Sequence, residues 1–277
     1  MKLPDTVDWK EECRRVTDTM REYTKGCVTP ICSNINEREG ALHGTGAYVS
    51  ALGQTMLVTN DHNFDFRGRS CAPDDLAIMF AGSPLFYHVH NSLYAIGYPI
   101  DCALSRIAPE VWTQAGGDAP AGAAIAEAQL ALAHDPVENE LLFFEGYLGE
   151  GQTLAYATLP DRMAAHVTQE APVPPEYGDE RFHFALQYWG DLDAEPSADQ
   201  GLPAPKGFSG SLVWNTGYTE ARSRGQLWTP QDAKVTGVVW GWSSSKACLI
   251  ATRIEFIRSW LMRSLEVMQA SAEIRVE

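Results

Sequence analysis

Basic residues are scarce in this chain: 21 lysines and arginines stand against 36 aspartates and glutamates in 277 residues, a formal net charge of −15. Nucleic acids and anionic membranes are gripped through an excess of Lys and Arg, so the balance argues against both as partners. Cysteine is sparse too. The six, Cys13, Cys27, Cys32, Cys71, Cys102 and Cys248, are too scattered for a disulfide framework in a chain this long. No Cys-x-x-Cys pair or His-rich cluster suggests zinc, so reduced core thiols and no metal or other cofactor are expected. Long apolar runs are also missing. No stretch reaches the ~18 apolar residues of a membrane span, and residues 1–9 lack the apolar core that directs secretion. Together these absences point to a cytoplasmic protein.

What the chain does have is a 45% apolar content in a length that suits one enzyme-sized unit. Residues 5–25 carry Trp9, Cys13, Val16, Met20 and Tyr23 at helical spacing behind Asp5 or Thr6 as N-cap, which predicts a helix packed on the first group of strands. Short apolar runs follow at 28–32, 45–49, 56–59, 76–80, 85–90 and 103–107, six strands that suit one small antiparallel barrel. A Gly/Ala/Pro-rich crossing at 115–124, with a short helix through 125–133, leads to a second set at 140–146, 153–158, 164–168, 182–187, 211–214 and 235–240. The chain then ends in a helix over 254–269 with Ile257, Trp260, Leu261, Leu265 and Met268 on one face. The expectation is an all-β protein of two six-stranded antiparallel β-barrels with a helix at each end. Its divisions are an N-terminal helical extension (1–27), a first barrel (28–114), a linker (115–134), a second barrel (135–253) and a C-terminal helix (254–277).

One turn carries chemistry. In Gly207-Phe208-Ser209-Gly210-Ser211 a serine stands between glycines, directly before an apolar strand. A hydroxyl that attacks a carbonyl must be exposed on a turn, with backbone N–H groups beside it facing the oxyanion that forms. Gly207 and Gly210 remove the Cβ atoms that would obstruct this. Gly-x-Ser-Gly also makes ordinary turns, so the assignment needs a base and an orienting acid elsewhere. All seven histidines precede Ser209. That order excludes the Ser, acid, His sequence of the α/β-hydrolase elbow and leaves His, Asp, Ser open.

Four stretches supply the rest. Gly44-Thr45-Gly46 leads into Thr59-Asn60-Asp61-His62, Asp101-Cys102-Ala103-Leu104 opens a strand, and Val238-Val239-Trp240-Gly241-Trp242 runs into a turn before Thr252-Arg253-Ile254. In this order they resemble the trypsin-like (chymotrypsin-fold) serine peptidases over roughly residues 28–261. The resemblance implies His62 as base, Asp101 as its orienting acid, Ser209 as nucleophile and the Gly207 and Ser209 amides as the oxyanion hole. It also implies that Pro203, Trp240, Gly241 and Trp242 line the substrate pocket, with a protein or peptide as substrate. Asp75 also opens an Asp-x-Ala pattern, but it follows His62 too closely for the two intervening strands to form.

The departures carry expectations of their own. Asn60 and Asp61 stand where the family has two alanines, Ser211 where it has a second glycine, and Asn63 where animal members have a disulfide cysteine. Phe208 replaces the aspartate that pairs with a freshly cut amino terminus, so no activation by N-terminal cleavage is expected. Pro203 occupies the position where members that cut after Lys or Arg carry an aspartate, so no strong basic preference is expected. His88 and His90 read as surface histidines without a third metal ligand, and the acidic residues of 191–199 as a solvated loop. The favoured reading is a serine endopeptidase, open to a dedicated processing role on one protein partner. The alternative is an inactive homologue that uses the same cleft to bind peptides.

Overall fold

Short apolar runs broken by glycine turns bury their alternate side chains only by pairing into sheets, and two antiparallel sheets result. The computed structural model describes residues 9–66, 69–70, 76–80, 86–88, 93–107, 111, 124–188 and 205–273. In the first half lie β1 (Val28–Asn36), β2 (Glu39–Ala51), β3 (Gln54–Thr59), β4 (Asp65–Phe66), β5 (Arg69–Ser70), β6 (Leu76–Met79), β7 (Phe86–His88), β8 (Leu93–Ile96), β9 (Cys102–Arg106) and β10 (Ile125–Ala126). Seven of them run in the order β7-β6-β1-β2-β3-β9-β8, while β4 and β5 pair separately. In the second half are β11 (Leu142–Tyr147), β12 (Thr153–Ala155), β13 (Met163–Thr168), β14 (Glu170–Ala171), β15 (His183–Gln187), β16 (Leu212–Asn215), β17 (Lys234–Ser243) and β18 (Cys248–Arg253). Its sheet runs β13-β11-β16-β17-β18-β15-β14.

Several elements depart from the sequence expectation, and β8 and β14 extend each main path of paired strands to seven where six were expected. The segment expected as the second strand of the second barrel, β12, instead pairs antiparallel with Glu39, Gly40 and Ala41 of β2 in the first sheet. Left-handed backbone at Gly149 and Gly151 turns the chain there, and Leu154 is buried among Val28, Leu42, Tyr147 and Leu159. Its place in the second sheet is taken by β18, which is buried along nearly its whole length and so shows no alternation in sequence. The helix expected over 125–133 is a single 3₁₀ turn at Glu127–Gln129, because Ile125 and Ala126 pair parallel with Val49 and Ser50. Tertiary pairing here overrides the helix propensity of an Ala-rich run.

Helix α1 (Trp9–Thr24) buries Val16, Met20 and Thr24. It packs on β11 and β13 of the second sheet, not on the first as its position in the chain suggested. Tyr23 meets Trp214 edge-on at 6.2 Å, and the far end is pinned where Tyr218 bonds Glu12 beside Arg15 and Arg222. Trp9 is 37% exposed and lies off this buried stripe. Tyr218 opens the short α2 (Tyr218–Ser223). The last helix, α3 (Ile254–Glu273), lays Ile254, Ile257, Leu261 and Leu265 on β17 and β18, and Gln269 donates to the Leu52 carbonyl of the first sheet at 3.1 Å. The main core joins Val49, Met56, Val58 and Leu104 of the first sheet to Phe143, Trp214, Val235 and Val238 of the second. The two sheets therefore share apolar packing. Among the described residues no helix is long and apolar enough to cross a membrane, and no group of three or more His, Cys, Asp or Glu could hold a metal.

Candidate active site

Antiparallel pairing brings the ends of two strands together. Thr59 at the end of β3 lies opposite Ala103 near the start of β9, so the turn after β3 and the residue before β9 become neighbours. His62 sits in that turn, a 3₁₀ segment at Asp61–Asn63. Asp101 sits before β9 with φ 48°, a left-handed conformation that a short polar side chain tolerates better than most. His62 Nδ1 is 2.6 Å from Asp101 Oδ2, and the His62 backbone N–H donates to Oδ1 at 3.2 Å. The acidic neighbour fixes the tautomer: Nδ1 carries the proton and Nε2 is left as the acceptor. The imidazole is 43% exposed and the carboxylate 11%. Burial opposes charge on the ring, but the Asp101 carboxylate, with Glu150 and Asp61 further off, outweighs it and holds the His62 pKa above its ordinary value.

The nucleophile turn is built by steric necessity. Gly207 has φ 110° and Gly210 φ 90°. A Cβ at Gly207 would run into the Tyr147 carbonyl oxygen, and one at Gly210 into the Thr45 carbonyl oxygen. Thr45 gathers this turn. Its N–H donates to the Ser209 carbonyl at 2.8 Å, and its hydroxyl donates to the Gly207 carbonyl at 2.7 Å while accepting from Tyr147 N–H at 2.9 Å. Asn63, the residue after His62, donates to the Ser209 carbonyl at 3.1 Å. The base turn and the serine turn are thus in direct contact. Neither the Gly207 nor the Ser209 N–H donates to a group among the described residues. Two amides beside a partly exposed serine are free to donate to a developing oxyanion.

The neighbouring wall is aromatic. A bulge between Val239 and Gly241 of β17 turns Trp240 toward Tyr98 (5.9 Å between ring centres) and His183 (5.1 Å). A Cβ at Gly241 would meet open space, and Trp242 packs partly buried on the second sheet's core. Tyr98, 67% exposed, carried no signal in the sequence. His183 accepts from Asp179 N–H at 2.9 Å through Nδ1 and donates through Nε2 to the Pro99 carbonyl at 2.7 Å. Burial holds its pKa below the ordinary value, with the Pro99 carbonyl pulling partly back. Phe208 is fully buried, edge-on to Phe144 at 5.2 Å and beside His166 and Tyr188. Pro203, Asp75, His90 and the acidic run 191–199 lie outside the described residues, as does the His88 side chain.

No family model matches this sequence, and no curated protein does. Solved structures do. An inactivated protease paralogue of the scabies mite superposes over 90% of this chain and 97% of its own with a TM-score of 0.54 at 11% identity. The HL collagenase matches over 87% and 94% with a TM-score of 0.52 at 12% identity. The active form of the Rv3671c protease from M. tuberculosis is 15% identical, with 86% and 81% covered and a TM-score of 0.45. This chain has the chymotrypsin-like fold. The two sheets are its double β-barrel, and His62, Asp101 and Ser209 lie on three loops where they meet. Asn60, Asn63, Thr45 and Thr59 carry the contacts between those loops, and none stood out as functional in the sequence.

Proposed function

We propose that the chain is a serine endopeptidase acting on protein or peptide substrates. The observation that carries the reading is the pairing of His62 with Asp101 at 2.6 Å on a turn that bonds the Ser209 carbonyl. In this reading Ser209 Oγ attacks the scissile carbonyl as His62 Nε2 takes its proton. The carbonyl oxygen becomes an oxyanion held by the Gly207 and Ser209 N–H groups. His62 then returns the proton to the leaving amine, and water repeats the cycle on the acyl-enzyme. Asp101 stays ionised and stabilises the imidazolium. In this reading Trp240, Gly241 and Trp242 line the pocket for the side chain before the cut, and the sequence has Pro203 where family members that cut after Lys or Arg carry an aspartate, which supports no basic preference. A narrow processing role on one partner fits the same site.

Five described cysteines are free thiols, and burial pushes Cys27 and Cys32 up to about 12, which suits inert core residues in a reducing, cytoplasmic setting. The alternative, a peptide-binding homologue without turnover, draws on the altered Asp61 and Ser211. Ser211 Oγ is buried with no hydrogen-bond partner and supplies no reacting group. An organophosphonate probe separates the two readings. It should label Ser209 in the intact protein, and His62→Ala should abolish the labelling. Labelling no faster than in Ser209→Ala would establish the peptide-binding reading.

A further inference from the structure

A carboxamide N–H buried beside a reacting centre must find an acceptor, because an unpaired donor there costs about 1–3 kcal/mol. Two such carboxamides flank the base. Asn60 is fully buried and Asn63 nearly so. Asn60 Nδ2 donates to the Asp101 carbonyl at 2.7 Å. Asn63 Nδ2 spends one hydrogen on Thr59 Oγ1 at 2.8 Å and the other on the Ser209 carbonyl at 3.1 Å. The orientation of Asn63 is not open to a flip. Thr59 Oγ1 already donates to the Thr45 carbonyl at 2.6 Å and the Ser209 oxygen can only accept, so both need a donor opposite.

We infer that Asn60 and Asn63 are positioning residues that hold acid, base and nucleophile in register by bonding the Asp101 and Ser209 carbonyls from the His62 turn. The inference rests on the roles assigned to His62, Asp101 and Ser209 above. Asp101 shows why a clamp is needed. Its left-handed backbone is an uncommon conformation, held on one side by its N–H to the Gly97 carbonyl at 3.1 Å and on the other by Asn60. Releasing it would swing the carboxylate off Nδ1. Ser209 is held likewise, since its carbonyl receives Asn63 from the base turn and the Thr45 N–H from β2. Fixing the carbonyl fixes the backbone from which the Ser209 side chain projects, and a displacement of about 1 Å costs on the order of a hundredfold in rate. Gly44 belongs to the device: a Cβ there would come within 2.5 Å of Asn63 Nδ2. The first glycine of Gly44-Thr45-Gly46 makes room for the carboxamide.

The test pairs a kinetic readout with one that needs no turnover. Asn63→Asp keeps the shape but turns a donor into an acceptor, and Gly44→Ala displaces Asn63 without changing it. Both should lower the rate of phosphonate labelling at Ser209 by about 10- to 100-fold, and on a peptide substrate the loss should fall in kcat with KM unchanged. In NMR spectra, Asn60→Ala should lose the low-field proton between His62 and Asp101 and lower the His62 pKa. In the unmodified chain the Asn63 side-chain amide should exchange slowly with solvent, a measurement that stands even if a variant does not fold. Labelling within twofold of the unmodified chain in both variants, or an Asn63 amide exchanging like a free carboxamide, overturns the clamp while leaving the peptidase reading intact. If the unmodified chain labels no faster than Ser209→Ala, the peptidase reading falls. Slow Asn63 exchange and the lost low-field proton would then still uphold the clamp.

Discussion

At the scale of the residue, the His62–Asp101 contact gives a pH dependence with a definite sign. Catalysis as a base needs neutral His62, and the net effect of burial and its acidic neighbours is a pKa above the ordinary 6.5. The kcat/KM profile should therefore rise with pH along a limb whose midpoint lies above 6.5. The stability contributed by the same pair runs the other way: it is fully present below the ordinary pKa and fades as pH rises through the raised one. Activity should climb where this part of the stability is being lost. A pH–rate profile with its midpoint below 6.5 would mean that desolvation outweighs the carboxylate. Legibility differs among these residues for a physical reason. His62, Asp101 and Ser209 are few and chemically marked, so their order along the chain is informative. Asn60 and Asn63 act through backbone carbonyls far away in sequence, which no local pattern encodes.

At the scale of the element, Phe208 and α1 bear on the same expectation. Phe208 is wedged between Phe144, His166 and Tyr188, so the turn before Ser209 is held by packing. Phe208→Asp would place an unpaired carboxylate in that apolar site and should cost several kcal/mol and most of the labelling. Helix α1 buries Val16 and Met20 against the second sheet, worth up to ~3–6 kcal/mol together. A form trimmed to begin near Cys27 should melt lower and label Ser209 no faster. Tenfold activation by trimming, about 1.4 kcal/mol of transition-state stabilisation, would show that a new terminus orders the site after all.

The elements themselves were legible where their periodicity was clean. The stripe of α1 and the runs of β2 and β3 show it in sequence, but which sheet α1 covers depends on Glu12, Arg15 and Tyr218 meeting across 206 positions. The exchange of β12 for β18 was hidden for two different reasons. A three-residue strand carries too little pattern to declare its partner, and a strand buried on both faces looks the same as any apolar run.

At the scale of the whole molecule, a chain with formal charge −15 repels itself more as pH rises, and salt should relieve that repulsion. Three carboxylates among the described residues are buried instead, Asp101, Glu140 and Glu145, and of these Glu145 is the one left without a partner. Glu145 lies on β11 beneath α1, with neither side-chain oxygen at hydrogen-bonding geometry to a partner. The nearby Thr24 hydroxyl is committed to the Met20 carbonyl at 2.8 Å. Burial pushes the Glu145 pKa up to about 7, with Thr24 and Arg21 pulling only partly back. A carboxyl whose folded pKa lies above its unfolded value favours the fold while protonated. Its contribution is complete below about 4.5 and is lost as pH rises through about 7. At 1.36 kcal/mol per unit, the loss is on the order of 3 kcal/mol. Denaturant unfolding between pH 5 and 8.5, at low and high salt, separates the two sources. Salt should recover the surface part and leave the Glu145 part, whereas Glu145→Gln should flatten the salt-resistant part and be the more stable form at pH 8. Parallel stability curves for the two proteins across that range would show that Glu145 finds a partner or water beneath α1 and does not set the upper pH limit of the fold.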